Sequence, residues 1–235
     1  MALLEARDIV AGYGATMILH GMNMHVDRGE VITILGPNGS GKSTLFKAIM
    51  GYLTPVSGSI HFNDEDVTHI PTKSRVTRGI AYVPQISNVF PSLTIGENLE
   101  MAGFAQSKTD MRQAVQEALG NFPLLEEKYM TRASGLSGGQ RQTLAMAMAL
   151  VKRPSVILLD EPSAGLDPKA TEMIFRQIEQ IHAHGTVIVI IEQDAKRALE
   201  ISHRGYIFEM GQNRYEDRTE RLLELDEIKS MYLGD

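Results

Sequence analysis

Short apolar runs set the rhythm of this chain. Val31-Ile32-Thr33-Ile34-Leu35, Gly79-Ile80-Ala81-Tyr82-Val83, Val156-Ile157-Leu158-Leu159 and Thr186 to Ile191 are short enough to be strands. The run from Val156 is unbroken, the pattern of a central parallel strand covered on both faces. Tyr206 to Gly211 reads as a last strand and its turn. Residues 3–10 and 20–28 alternate only loosely and read as two strands about the Gly12-Tyr13-Gly14 turn. A third, Ser59-Ile60-His61-Phe62, follows Pro55-Val56-Ser57-Gly58, and the three predict a small antiparallel sheet. From Ser92 to Leu150 the period turns helical, with Leu93, Ile95, Leu99 and Met101 on one segment and Met111, Val115, Ala118 and Leu119 on another. Ala170, Ile174, Ile178 and Ile181 share a face of a later helix that stops at Gly185, and residues 218–232 predict an amphipathic terminal helix. The expectation is an α/β fold: a mostly parallel sheet, a small antiparallel β-subdomain and an inserted helical subdomain.

Composition adds limits. The 235 residues, 43% hydrophobic and 22% charged, suit a globular protein with a substantial core. A net charge of −6 argues against a dedicated nucleic-acid surface. With no cysteine, disulfides and thiolate metal sites are excluded. Leu3 to Asp8 does not read as a signal peptide, and no uncharged apolar run approaches the ~20 residues that span a bilayer. A soluble cytoplasmic protein is therefore expected, reaching a membrane only through a partner.

The sharpest chemistry lies at Gly36-Pro37-Asn38-Gly39-Ser40-Gly41-Lys42-Ser43-Thr44, between an apolar strand and the helical pattern Leu45 to Met50. Strand, glycine-rich loop and helix form a phosphate cradle: backbone N–H groups turn inward and the positive end of the helix dipole faces the same spot. Lys42 supplies a mobile charge for β- and γ-phosphates, and the Ser43 hydroxyl suits Mg²⁺. Kinases, GTPases and motor ATPases share this loop. Ser137-Gly138-Gly139-Gln140, opening a second helical run, makes a second anion site about a hundred residues away. One nucleotide does not need two such sites. Asp160 and Glu161 end an apolar strand at the carboxyl edge of the sheet, where open α/β folds place ligands. There Asp160 stands near a metal shell and Glu161 can orient water. Asp167-Pro168 predicts a helix N-cap with proline at the first helical position, Asp194 caps the next helix, and Gln193 emerges at the same sheet edge as the two acids. Tyr13, on a loop near the cradle, can stack on adenine or simply pack. His182 and His184, two apart, make a poor metal pair. Val89-Phe90-Pro91 reads as subdomain core or as a docking patch.

With these pieces in order, nearly the whole chain resembles an ABC-type ATPase. The resemblance rests on the phosphate loop at 36–44, Tyr82-Val83-Pro84-Gln85, Leu136-Ser137-Gly138-Gly139-Gln140, and Val156 to Glu161. It implies one ABC ATPase domain over 1–235: a catalytic core with the β-subdomain at 1–86 and 152–215, a helical subdomain at 87–151 and a C-terminal helix at 216–235. It also implies two ATPase subunits packed head to tail, each ATP lying between one phosphate loop and the other subunit's Ser137 to Gln140 segment. By resemblance Tyr13 stacks on adenine, and Ser43, Gln85 and Asp160 attend Mg²⁺. Glu161 activates water, Lys42 and Gln193 count with it as catalytic, and Asp167 lies in the loop that crosses the dimer. Val89 to Glu97 matches the groove where transmembrane permease subunits dock, which favours docking over plain core. Most of the family carries a histidine where this chain has Gln193; an amide donates a hydrogen bond but carries no proton. Glu192-Gln193 with Arg204-Gly205-Tyr206 and Gly211 resembles the ATPases of branched-chain and neutral amino acid importers, peripheral on the inner face of the membrane and served indirectly by a solute-binding protein. Related urea or amide importers compete, as do ABC ATPases acting on nucleic acid or ribosomes. A kinase or GTPase leaves the Ser137 to Gln140 segment unexplained.

Overall fold

The computed structural model describes residues 2–86, 88–104 and 106–229. In chain order, strands β1 (Ala2–Tyr13), β2 (Thr16–Asp27) and β3 (Val31–Leu35) lead into helix α1 (Lys42–Met50). Next come β4 (Ser57–Phe62), β5 (Glu65–Asp66), α2 (Thr72–Thr77) and β6 (Ile80–Val83). A helical stretch follows: α3 (Ile95–Ala102), α4 (Lys108–Gly120), α5 (Pro123–Glu127), a 3-10 turn at Ala133–Gly135, and α6 (Gly138–Leu150). The chain returns through β7 (Val156–Asp160), α7 (Pro168–Ala183), β8 (Val187–Ile191), α8 (Ala195–Glu200), β9 (Arg204–Glu209) and β10 (Gln212–Arg218), then α9 (Thr219–Glu224) and α10 (Asp226–Ile228).

Two sheets result. The larger has the order β10-β9-β3-β8-β7-β6, parallel except for the antiparallel β10–β9 pair. The smaller, β2-β1-β4-β5, is antiparallel. Every residue of β3, β7 and β8 is buried, which explains their continuous apolar character. The strand pleat divides the core. Leu158, Val189 and Ile191 pack with Phe46, Ile49 and the small sheet, whereas Ile157, Leu159, Ile188 and Ile190 pack with Leu99, Leu144, Phe175 and Ile178 of the helices. The main sheet is thus held from both sides, and its carboxyl edge is left to carry chemistry.

Behind α1 lies an unusual anchor. Arg75, on α2, is fully buried and gives its N–H groups to main-chain carbonyls of Ile70 (2.8 Å), Thr68 (2.7 Å), Ala48 (2.8 Å) and Ile49 (2.5 Å). Two of those acceptors lie in the last turn of α1, where a cation complements the negative end of the helix dipole.

Several expectations need correction. Tyr13 is not in a loop; it ends β1 and pairs with Thr16 across a tight turn at Gly14. Met101 points away from the α3 core face and is exposed, whereas Ile95 and Leu99 are buried. The region given to a terminal helix from residue 216 begins instead as β10, which runs through Arg218 because β9 supplies it with a hydrogen-bonded partner. Helical structure then breaks at the extended Leu225, between α9 and α10. The rest of that expected helix, at 230–232, lies outside the described residues. No described helix is long and apolar enough to cross a membrane.

Candidate functional site

The glycine-rich loop spans the gap between β3 and α1. A Cβ at Gly36 would stand 2.3 Å from the Phe208 carbonyl oxygen and 2.7 Å from Ser40 Oγ, so only glycine fits there. Gly41, at φ 102°, is the N-cap of α1 and brings no side chain to cap it, leaving the first-turn N–H groups for an anion. Lys42 folds back over the loop, Nζ donating to the carbonyls of Gly36 (2.7 Å) and Pro37 (3.0 Å). Burial lowers its pKa, against the opposing pull of Glu161 and Asp160. Ser40 Oγ is buried and has no hydrogen-bond partner among the described residues. The loop rests on the β9–β10 turn through Gly211 N–H to Ser40 O (3.2 Å), and that turn is tied to β2 through His20 N–H to Gly211 O (2.8 Å). Pro37, Asn38 and Gly39 form the exposed lip, and Thr44 is buried.

Strand β7 delivers the acids to this loop. Asp160 Oδ1 accepts from Ser43 Oγ (3.0 Å) and Oδ2 from the Tyr82 hydroxyl (2.9 Å). Burial first, then the Asp160 charge, pushes the Tyr82 phenol up, so it remains a donor. Beyond the strand Glu161 takes a left-handed backbone (φ 49°), with its N–H held by Ile191 O at 2.8 Å. Its Oε2 accepts from Gln85 Nε2 (2.7 Å) and Gln193 Nε2 (2.8 Å). Three segments far apart in sequence thus meet on one carboxylate oxygen. The half-buried carboxylate, aligned by two amides on Oε2, can accept a proton from water at its other oxygen.

Sequence reading missed three contributors. Tyr82 was legible as a strand residue, but its hydroxyl contact depends on β6 pairing with β7. Glu192 is buried; Oε1 accepts from Ser163 N (2.8 Å) and Oε2 from Gln193 N (3.0 Å). Burial raises its pKa against these bonds. An acid directly after five buried apolar residues was the available signal. The Gly211 turn gave none beyond its glycine.

The second anion site expected from the sequence falls at the start of α6. Ser137 caps it reciprocally with Gln140: Ser137 Oγ accepts from Gln140 N (3.3 Å), and Gln140 Oε1 from Ser137 N (3.1 Å). Ser137 is exposed and Gly138 half-buried, while Gly139 packs so closely on α7 that an added Cβ would stand 3.0 Å from Ala170 Cβ. Asp167 caps α7, accepting from Lys169 N (3.0 Å) and Ala170 N (3.1 Å). Tyr13 is 49% exposed, with Lys47 Nζ 5.6 Å from its ring centre. In the 89–97 segment Phe90 is exposed, fixed by its N–H to Asn98 Oδ1 at 2.7 Å. It borders a groove of about 290 Å³ that Tyr52, Met101 and Met148 also line.

The family model described as ABC transporter matches residues 19–164. The high-affinity branched-chain amino acid transport ATP-binding protein BraG of Pseudomonas aeruginosa is 39% identical over 94% of this chain and 95% of its own length. The probable branched-chain amino acid transport ATP-binding protein LivF of Archaeoglobus fulgidus is 38% identical over 99% of each chain. The lipopolysaccharide export system ATP-binding protein LptB of Escherichia coli is 32% identical over 100% of this chain and 98% of its own. Among solved structures, a nucleotide-free ATP-binding cassette from an ABC transporter superposes with a TM-score of 0.89 at 27% identity, covering all of both chains. A dimeric post-hydrolysis cassette bound to ADP and Pi gives 0.79 at 28% identity, covering 92% of this chain and 98% of that one.

Proposed function

This chain belongs to the ABC transporter family, and from that premise we propose that it drives a membrane importer for branched-chain or neutral amino acids. It is an ABC-type ATPase subunit. The observation that carries the reading of its site is the meeting of Gln85 and Gln193 on Glu161, one residue beyond the Ser43–Asp160 pair. ATP enters the phosphate loop, its triphosphate received by the N–H groups at 36–44 and by Lys42, which exchanges loop carbonyls for phosphate oxygens. The buried Ser40 hydroxyl, without a hydrogen-bond partner among the described residues, supports a phosphate at this place.

Glu161 takes a proton from water as the water oxygen bonds to the γ-phosphorus; the bond from phosphorus to the ADP oxygen breaks. Gln193 donates its amide N–H to the γ-phosphate, and Tyr13 stacks on adenine. Ser43, Asp160 and Gln85 offer only oxygen ligands, a set that fits Mg²⁺. Bound there, Mg²⁺ neutralises charge building on the phosphate oxygens.

Each site is completed by Ser137, Gly138, Gly139 and Gln140 of a second ATPase subunit, identical or different, with Asp167 in the crossing loop. Val89 to Glu97 receives the transmembrane permease, and a solute-binding protein acts through that permease rather than on this chain. The subunit lies on the cytoplasmic face of the membrane. Support for amino acid import comes from the 38–39% identity to two proteins named for branched-chain amino acid transport, against 32% to one named for lipopolysaccharide export. A urea or amide importer would use the same ATPase site. Nucleic acid has no part in it.

The deciding experiment is Glu161→Gln. ATP binding should remain while turnover falls on the order of 10²–10⁴-fold, the usual worth of a general base. Unaltered hydrolysis refutes the assignment. Pull-down of a polytopic partner, followed by ATP-dependent uptake of candidate solutes, then tests the direction and the cargo.

A further inference from the structure

Glu192 has no place in the mechanism above, yet it is buried directly beside Gln193, only 2% exposed. Its two oxygens serve different segments. Oε2 holds the backbone N–H of Gln193 at 3.0 Å, at the end of β8. Oε1 holds the N–H of Ser163 at 2.8 Å, where the chain leaving Glu161 turns toward Asp167. That turn is compact: Ala164 N–H reaches Glu161 O at 3.1 Å, and Leu166 N–H reaches Ser163 O at 3.1 Å. Because the carboxylate is rigid and planar, neither amide can move without straining its bond to the other oxygen or dragging the second segment along. The Oε2 bond, to the next residue, fixes the carboxylate on its own segment, and the Oε1 bond carries that fixed group across to the chain beyond Glu161.

We propose that Glu192 is a positioning residue that yokes Gln193 to the Ser163–Asp167 loop, so that the group facing the γ-phosphate and the loop running to the second subunit move together. The yoke rests on the reading of Glu161 and Gln193 given above. It makes the state of one nucleotide felt in the loop that borders the other.

The test uses the full chain and ATP. Glu192→Gln is nearly isosteric but keeps one acceptor oxygen, so one of the two N–H groups must lose its partner. The expected kcat falls on the order of tenfold, the effect of one misplaced charge-assisted contact, with KM for ATP within about twofold. Amide exchange should quicken in both 162–167 and 193–195. Combined with Gln193→Ala, the loss should be smaller than the product of the two single losses, because both act through one unit. Wild-type kcat, multiplying losses or faster exchange in one segment alone would each overturn the yoke. If Glu192→Gln does not fold, exchange on the Glu161→Gln chain decides: adding ATP must change protection in both segments together, and a change in one alone overturns it. Glu161→Gln run beside them separates the two failures. If it hydrolyses normally the site reading fails; if it is inert while Glu192→Gln is fully active, only the yoke fails.

Discussion

At the scale of single residues, the glutamine at 193 is the informative departure. It donates to Glu161 at 2.8 Å and can turn the same N–H to phosphate, which an uncharged amide does without any dependence on protonation. Gln193→Ala should therefore slow hydrolysis more than Gln193→His, since imidazole can also donate. Equal rates for alanine and wild type, in a steady-state phosphate-release assay, would show that the side chain does not touch the phosphate. Glu192 gives a different, thermodynamic signal. Burial holds its carboxyl above the ordinary 4.5, so between 4.5 and that raised value the folded chain retains a proton that the unfolded chain has released. Stability from this group falls as pH rises through that window and is regained as pH falls below it. Glu192→Gln should flatten that part of the pH profile of thermal unfolding; an unchanged slope would contradict the assignment.

Elements divide into those that local rules specify and those that partners specify. The buried strands, the glycine-rich loop, the Asp167-Pro168 helix start and the Asp194 cap were legible because each follows from a run, a turn or a cap within a few residues. β10 was not: Gln212–Arg218 is polar at nearly every position and is a strand only because β9 offers it a ladder. The end of β1 at Tyr13 and the short α2 escaped for the same reason, being fixed by hairpin closure and by the buried Arg75. Among site residues, Asp160, Glu161 and Ser43 were readable as types in the right context, whereas the Tyr82 and Glu192 contacts needed the assembled sheet. The start of α6 carries its own test. Ser137→Ala removes the hydroxyl half of the capping box, which should cost about 1 kcal/mol and lower Tm by about 2–4 °C. A wild-type Tm would mean that the cap contributes nothing.

For the whole molecule, the glycine-rich loop and the Ser137 helix start have different surroundings. The phosphate loop is walled by β2 and the β9–β10 turn, while the Ser137–Gln140 turn packs on α7. A solved relative with a TM-score of 0.79 is itself dimeric with ADP and Pi. The Glu161→Gln chain, unable to turn ATP over, should associate with a second subunit in ATP and Mg²⁺ and separate in ADP. Sedimentation of this chain together with its ATPase partner, whether identical or different, that shows the same mass in both nucleotides would remove the shared-site mechanism.

The guanidinium behind α1 has a consequence for how force crosses this fold. Arg75 grips the final turn of the helix whose first turn opens from the glycine-rich loop, and it does so entirely through main-chain oxygens of Thr68, Ile70, Ala48 and Ile49. Helix α1 is therefore clamped at its tail like a piston rod seated in a bearing. A shift at the head of α1 would be felt at α2, and through it at β6, the strand that ends two residues before Gln85.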